Sequence, residues 1–166
     1  MTAAAMPTTI LIAALGGEGG GVLAEWIVAA AQRAGLRVQA TSVPGVAQRT
    51  GATSYYIEFI DASSGREPVF ALMPLPGRVD VLLSSELLES VRMIERGFVD
   101  PQRTWLITAT HRVLTTQEKL APTDGRFDTQ RLLAAAAAAS QRLLEIIRHG
   151  YANTTSPRRG QRAKRR

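Results

Sequence analysis

No cysteine occurs among the 166 residues. The chain therefore makes no disulfide, no thiolate zinc site and no cysteine-held iron–sulfur cluster. Histidine is nearly as scarce: His111 and His149 are the only two, too few for an all-protein transition-metal site. No apolar run approaches the roughly 20 residues that a membrane span needs. Met1 to Pro7 has neither the basic start nor the apolar stretch of a secretory signal. What is left, at 45% hydrophobic and 20% charged residues, has the make-up of a globular protein, with the cytoplasm as the expected compartment and no membrane partner.

Charge of one sign is concentrated in one place. The formal net charge is +6, and Arg158, Arg159, Arg162, Lys164, Arg165 and Arg166 account for it, with no acid from Ser156 to Arg166. Without that stretch, 14 basic residues face 14 acidic ones. The basicity belongs to a tail rather than to a binding face, which argues against a nucleic-acid-binding domain. The expected organisation is one domain over residues 1–150 and a basic tail over 151–166, of the composition that disordered ends carry.

Thr8 to Leu15 reads as a buried strand ended by glycine. Val22 to Ala34 reads as a helix, with Val22, Trp26 and Ala29-Ala30 on its inner face and Gly35 as its stop. Strands are expected at Leu36 to Val43 and Ser54 to Ile60. Turn residues at Asp61 to Gly65 predict a hairpin that returns along Pro68 to Met73. Val79 to Leu83 predicts a further strand, leading into a helix from about Ser85 to Arg96. Thr104 to Thr108 predicts another. His111 to Leu120 is compatible with extended or helical structure. Asp128 is placed to cap a long helix reaching about Arg148, favoured by the alanine run 134–139. Strands alternating with helices, plus one hairpin, predict a three-layer α/β/α fold with a mixed, mostly parallel sheet.

Two loops carry the functional signal. Gly16-Gly17-Glu18-Gly19-Gly20-Gly21 lies between the first strand and first helix, an arrangement that offers backbone N–H groups and a helix dipole to an anion. A P-loop would need Lys-Ser/Thr after the last glycine; Val22-Leu23 stands there instead. A dinucleotide fingerprint would need glycines in first, third and sixth place and an acid ending the second strand. Neither is present, and Gln39, Thr41 and Ser42 occupy that strand. The glycines serve either a tight turn with close packing, or contact with a cofactor or partner through Gly17, Gly19, Gly20 and Gly21. The second loop, Pro44 to Thr53, holds Gln48 and Arg49 before Gly51. Arginine offers a planar fork to a carboxylate or phosphate, and glutamine a donor–acceptor pair. With a helix between them, the two strands before these loops are expected as parallel neighbours. Both loops would then open on the sheet edge where such folds bind ligands.

These loops, with the strand Asp80-Val81-Leu82-Leu83 and the helix start Glu86-Leu87-Leu88-Glu89, resemble the gamma-type domain of 2-oxoacid:ferredoxin oxidoreductases. The similarity is greatest to the indolepyruvate oxidoreductase beta subunit, whose loops read G-G-Q-G and M-A-Q-R-G-G. It spans about residues 8 to 148, and Val46-Ala47-Gln48-Arg49-Thr50-Gly51 is its most specific part. The resemblance implies an accessory subunit, or a fragment of one, inactive alone and binding no cofactor by itself. Thiamine diphosphate, magnesium and iron–sulfur clusters would be held by partner domains or subunits. Those would decarboxylate a 2-oxoacid and pass its electrons to ferredoxin. Gln48, Arg49 and Gly51 would meet the catalytic partner or the bound substrate, and the four glycines would line the crevice. Glu18 departs from the family's glutamine, Thr50 from a glycine, and Gly20-Gly21 are additional. The competing reading is a non-enzymatic module whose glycine loop takes a nucleotide or other phosphate.

No residue is assigned a catalytic or metal-binding role. Glu86 and Glu89, three apart at a helix start, suit the helix dipole better than acid–base work. His111, after a strand end, suits a polar surface. Ser42, Ser54, Ser84 and Ser85 lack the turn that exposes a nucleophile. RNA retention by the full chain is expected to be weak, to fall steeply with salt, and to vanish on deleting Ser156 to Arg166. Filter binding checks this; retention that survives the deletion would place a nucleic-acid face in the folded part.

Overall fold

A computed structural model describes residues 6–44, 52–61, 68–113, 118, 120 and 125–146. Among them lie six strands and three helices. In chain order these are β1 (Thr8–Leu15), α1 (Gly20–Arg33), β2 (Leu36–Pro44), β3 (Ala52–Asp61), β4 (Val81–Ser84), α2 (Leu87–Glu95), β5 (Trp105–Ala109), α3 (Thr129–Ala139) and β6 (Arg142–Ile146). They form one sheet in the order β2-β3-β1-β4-β5-β6. β3 is antiparallel to both its neighbours, while β1, β4, β5 and β6 pair in parallel. Only β3 runs against the rest, so the sheet is mixed and mostly parallel, as expected.

Alternation along β1 divides the core in two. Ile10 and Ile12 face α1, packing with Ala24, Ile27 and Val28 of that helix and with Ile57. Leu11 and Ala13 face the other way, towards Met93 of α2, Ala136 of α3, Leu82 and Leu106. The α/β/α layering follows from this division, with α1 the only described helix on its face.

The structure differs from the sequence reading in four places. β1 and β2 are not neighbours, because β3 lies between them. Their ends still meet at one edge, since Leu15 pairs with Ala52 and Pro44 with Thr53. Second, Pro68 to Met73 is not a strand. With β1 and β2 occupying both edges of β3, no ladder is open to a returning hairpin arm. The segment is tied down by side chains instead. Glu58, buried, accepts the Ala71 N–H at 2.7 Å and the Tyr56 hydroxyl at 2.5 Å. Gln39 Nε2 donates to the Ala71 carbonyl at 3.0 Å, and Thr41 Oγ1 to that of Leu72 at 2.9 Å. Burial and the neighbouring Glu58 push the Tyr56 hydroxyl well above the usual phenol range.

Third, the last helix ends at Ala139 rather than near Arg148. Asp128 caps it as expected, accepting the Gln130 N–H at 2.9 Å. At its end Ser140 turns extended and donates its hydroxyl to the Ala136 carbonyl at 2.8 Å. The Gln141 N–H bonds the Thr104 carbonyl at 2.9 Å, and Arg142 to Ile146 join the open edge of β5. Fourth, the buried residues of α1 are Gly20, Ala24 and Ala31, with Ile27 and Val28 partly buried beside them. Val22 and Trp26 point outward, Trp26 with 69% of its surface exposed.

Close approach explains the small residues. A Cβ on Gly20 would stand 2.7 Å from the Ala14 Cβ and 3.0 Å from the Tyr55 ring. Gly20→Ala is therefore expected to cost about 1–3 kcal/mol through overpacking, read as a lowered urea midpoint at unchanged slope. An unchanged midpoint would mean that α1 is free to move away from the sheet.

Candidate functional site

The chain leaves β1 towards the face that carries α1, and leaves β4 towards the face that carries α2. Adjacent parallel strands whose connections diverge in this way leave a crevice between their carboxyl ends. Here it lies between the glycine loop and Ser84-Ser85-Glu86, with the end of β5 beside it.

The glycines divide by role. Gly17 and Gly19 hold φ of +85° and +81°, a conformation glycine adopts without strain. Gly20 and Gly21 are small because Tyr55 lies against them. Gly19 caps α1 without any side-chain hydrogen bond, so the first-turn amides of that helix have no side chain spent on them from the cap position. Gly17, Gly19, Gly20 and Gly21 share the lining of a cavity of about 330 Å³ with Thr53 and Tyr55. That space lies on the β3 side of the glycine loop; of the four, Gly19 and Gly20 also border the crevice towards Ser84 and Ser85. Gln48, Arg49 and Gly51 lie outside the described residues. The strands on either side of them end at the same edge, opposite Leu15 and Ala14.

Glu18 turns towards β4 and β5. Its carboxylate accepts the Ser85 hydroxyl and stands 3.4 Å from His111 Nε2. Ser85 is held in turn by its N–H to the Ala13 carbonyl at 3.0 Å and by the Leu15 N–H to its Oγ at 3.3 Å. The cluster thus joins the loops after β1, β4 and β5. Its order is hydroxyl, carboxylate, imidazole. Among the described residues the basic group on the serine is the carboxylate, an order unlike that of a Ser-His-acid nucleophile. It is a polar rim able to hold or exchange a proton. Sequence reading placed His111 on a polar surface; the structure gives it Glu18 as a partner and leaves its Nδ1 buried without one. The signal available was its position after a strand end on the loop edge.

Glu86 and Glu89 are only 1% and 2% exposed. Glu86 caps α2, accepting the Glu89 N–H at 3.1 Å, and also accepts the Val113 N–H at 2.9 Å. Glu89 pairs with Arg92. Burial pushes both carboxyls up, against the pull of those partners. Because the folded chain then holds these protons more tightly than the unfolded one, the two groups favour folding below the ordinary glutamate range. That contribution is lost as pH rises through the folded values. Carbon-detected NMR titration should find both above 4.5, the reference value for glutamate; ordinary or lower values would contradict the burial argument. Among the described residues no group of three or more His, Asp or Glu side chains is placed to hold a metal. None of the described helices is long and apolar enough to cross a membrane.

The family model for pyruvate ferredoxin/flavodoxin oxidoreductase matches residues 9–155. Subunit IorB of indolepyruvate oxidoreductase from Thermococcus kodakarensis is 36% identical over 85 residues, 51% of this chain and 39% of the relative. The same subunit from Pyrococcus horikoshii is 35% identical over an equal stretch, again 51% of this chain and 39% of the relative. The aligned part is thus well under half of either relative. Among solved structures, the 2-oxoglutarate:ferredoxin oxidoreductase of Magnetococcus marinus superposes with a TM-score of 0.53 at 15% identity. That superposition covers 86% of this chain and 20% of the larger one, and it bears on the fold alone. With the family model spanning the whole sheet and both loops, the chain belongs to the pyruvate ferredoxin/flavodoxin oxidoreductase family.

Proposed function

We propose that this chain is an accessory subunit, or a fragment of one, of a thiamine-dependent 2-oxoacid oxidoreductase of the indolepyruvate type. The enzyme would oxidatively decarboxylate a 2-oxoacid and pass the electrons to ferredoxin. The observation that carries the reading is the family match over residues 9–155. It is supported by a surface that a solitary domain has little use for. Val22, Leu23 and Trp26 stand exposed in a stripe along α1, and exposed apolar groupings of this kind mark contact surfaces.

The donor chemistry of the chain fits a supporting role. Without cysteine it supplies no thiolate to an iron–sulfur cluster, so the clusters would sit in partner chains. Thiamine diphosphate would supply the carbanion chemistry of decarboxylation from the catalytic partner, together with its magnesium ion. This chain would contribute shape and orientation. Gly17, Gly19, Gly20 and Gly21 would present backbone to the crevice, and Gln48, Arg49 and Gly51 would meet the partner or its bound substrate. The uncapped start of α1, with Glu18 drawn off to Ser85 and His111, also favours the second reading, a phosphate-binding module. Equilibrium dialysis of the chain alone against ATP, NAD and coenzyme A separates the two, since only the module must bind unaided.

In the assembled enzyme, Arg49→Ala is expected to lower oxoacid-dependent acceptor reduction about tenfold, the loss of ~1.4 kcal/mol of transition-state stabilisation, with the thermal midpoint unchanged. Full turnover would remove Arg49 from the site. Trp26→Glu should leave stability within about 0.5 kcal/mol while weakening retention of the chain by its catalytic partner in a pull-down. Undiminished retention would place the contact elsewhere.

A further inference from the structure

On the face that carries α1, no described helix covers β4, β5 and β6. α1 packs over β1, β3 and β2. Between its flank and the sheet edge lies a cavity of about 280 Å³. Ile12, Leu83 and Ile107 form its floor, Leu23 of α1 one wall, and Ile146 of β6 the far rim. Beside β1 and β4 the lining is polar, with Glu18, Gly19, Gly20, Ser84 and Ser85, while Ala109 and Ile146 keep it apolar at the ends of β5 and β6. The space is thus apolar across β5 and β6 and polar at its β1–β4 end.

The polar end is biased in sign. A carboxylate accepts hydrogen bonds and donates none. Ser85 gives its hydroxyl proton to Glu18, and its oxygen takes the Leu15 N–H. Ser84 gives its hydroxyl proton to the Glu86 carbonyl, so the side chains that line this end offer acceptor oxygens; His111, beside Glu18, is not part of the lining. A ligand carboxylate placed here would face Glu18 across a poorly hydrated space, where like charges repel strongly. The volume sets a second limit. It lies just below the roughly 300–1,000 Å³ of sites for cofactors and drug-sized ligands. The occupant is therefore small, and not a dinucleotide.

We infer that this cavity binds a small, flat apolar molecule bearing an N–H or ammonium group, with the ring over Leu83 and Ile107 and the donor on Glu18. The site adjoins the glycine-lined space beside Tyr55, sharing Ala14, Gly19 and Gly20 with it, and it needs no catalytic partner to form. Its existence is independent of the subunit reading: either can fail while the other stands. The opposing influence is the uncapped start of α1, since Gly19 and Gly20 also line the rim and helix amides favour anions.

Isothermal titration of the full chain at pH 8, where free histidine is neutral, decides between these pulls. Three probes share one ring system: indole, tryptamine and indole-3-acetate. Saturable binding of indole is expected, with tryptamine at least about tenfold tighter than indole-3-acetate, the size expected of a close charge at a partly screened site. Glu18→Gln should bring those two within about threefold of each other, because the amide keeps the shape and removes the charge. Ile146→Asn, at an exposed rim position, should weaken all three probes at least about threefold by removing apolar contact. It should also leave the thermal midpoint in place. If Glu18→Gln does not fold, the probe ratio in the native chain and the Ile146 variant still decide. The inference is overturned by absence of saturable indole binding at millimolar concentration, or by indole-3-acetate binding as well as tryptamine. A cation preference that survives Glu18→Gln, or binding indifferent to Ile146→Asn, would overturn it equally.

Discussion

At Gly20 a side-chain Cβ would stand only 2.7 Å from that of Ala14, and Tyr55 of β3 closes the same gap. That contact sets the rest of the loop edge. A helix beginning so near the end of β1 leaves only Gly16 to Gly19 to reverse the chain. Two of those residues must take positive φ, and Glu18, between them, is turned out towards β4 and β5. The Glu18–Ser85–His111 cluster and both cavities at this edge are consequences of the tight turn. Gly20, Ala24 and Ala31 continue the same close packing along the helix, with Ile27 and Val28 beside them, while Val22 and Trp26 point outward.

The outward stripe and the half-bare sheet face are two results of one layout. Among the described residues a single helix lies on one face of the six-stranded sheet, and two lie on the other. Apolar residues are left beside α1 and along β5 and β6, where Trp105, Leu144 and Ile146 stay exposed and Arg142 lies over the Trp105 ring at 5.0 Å. Such a surface suits a chain that works against others. The polar groups at the loop edge are built for holding and orienting. Glu86 caps a helix, Glu89 is paired, and the serine nearest a histidine meets it only through a carboxylate.

The alternation of apolar residues in β1, the glycine stops and the Asp128 cap were legible because each is local. Burial periodicity and capping chemistry need no knowledge of distant partners. The failures are all tertiary. Pro68 to Met73 has the composition of a strand but no free ladder, since β3 is paired on both sides. Arg142 to Ile146 suits a helix as well as a strand, and only the open edge of β5 decides. On α1 Val22 and Trp26 suggest the inner face, yet Gly20, Ala24 and Ala31 are buried there, with Ile27 and Val28 beside them. At the site, the glycine loop was evident as strand, glycines and helix. His111 was not, because its partner Glu18 lies 93 positions away in the chain, and a lone histidine carries no spacing to read.

The central claim is that this chain works as one part of a larger oxidoreductase. The most direct measurement is gentle, anaerobic isolation of the natural protein from its native cells, with identification of everything that accompanies it. The account predicts a partner carrying thiamine diphosphate and iron–sulfur clusters, and a complex that reduces an acceptor when given a 2-oxoacid. A chain that emerges alone, and whose depletion leaves the oxoacid-dependent acceptor reduction of the extract intact, would contradict it.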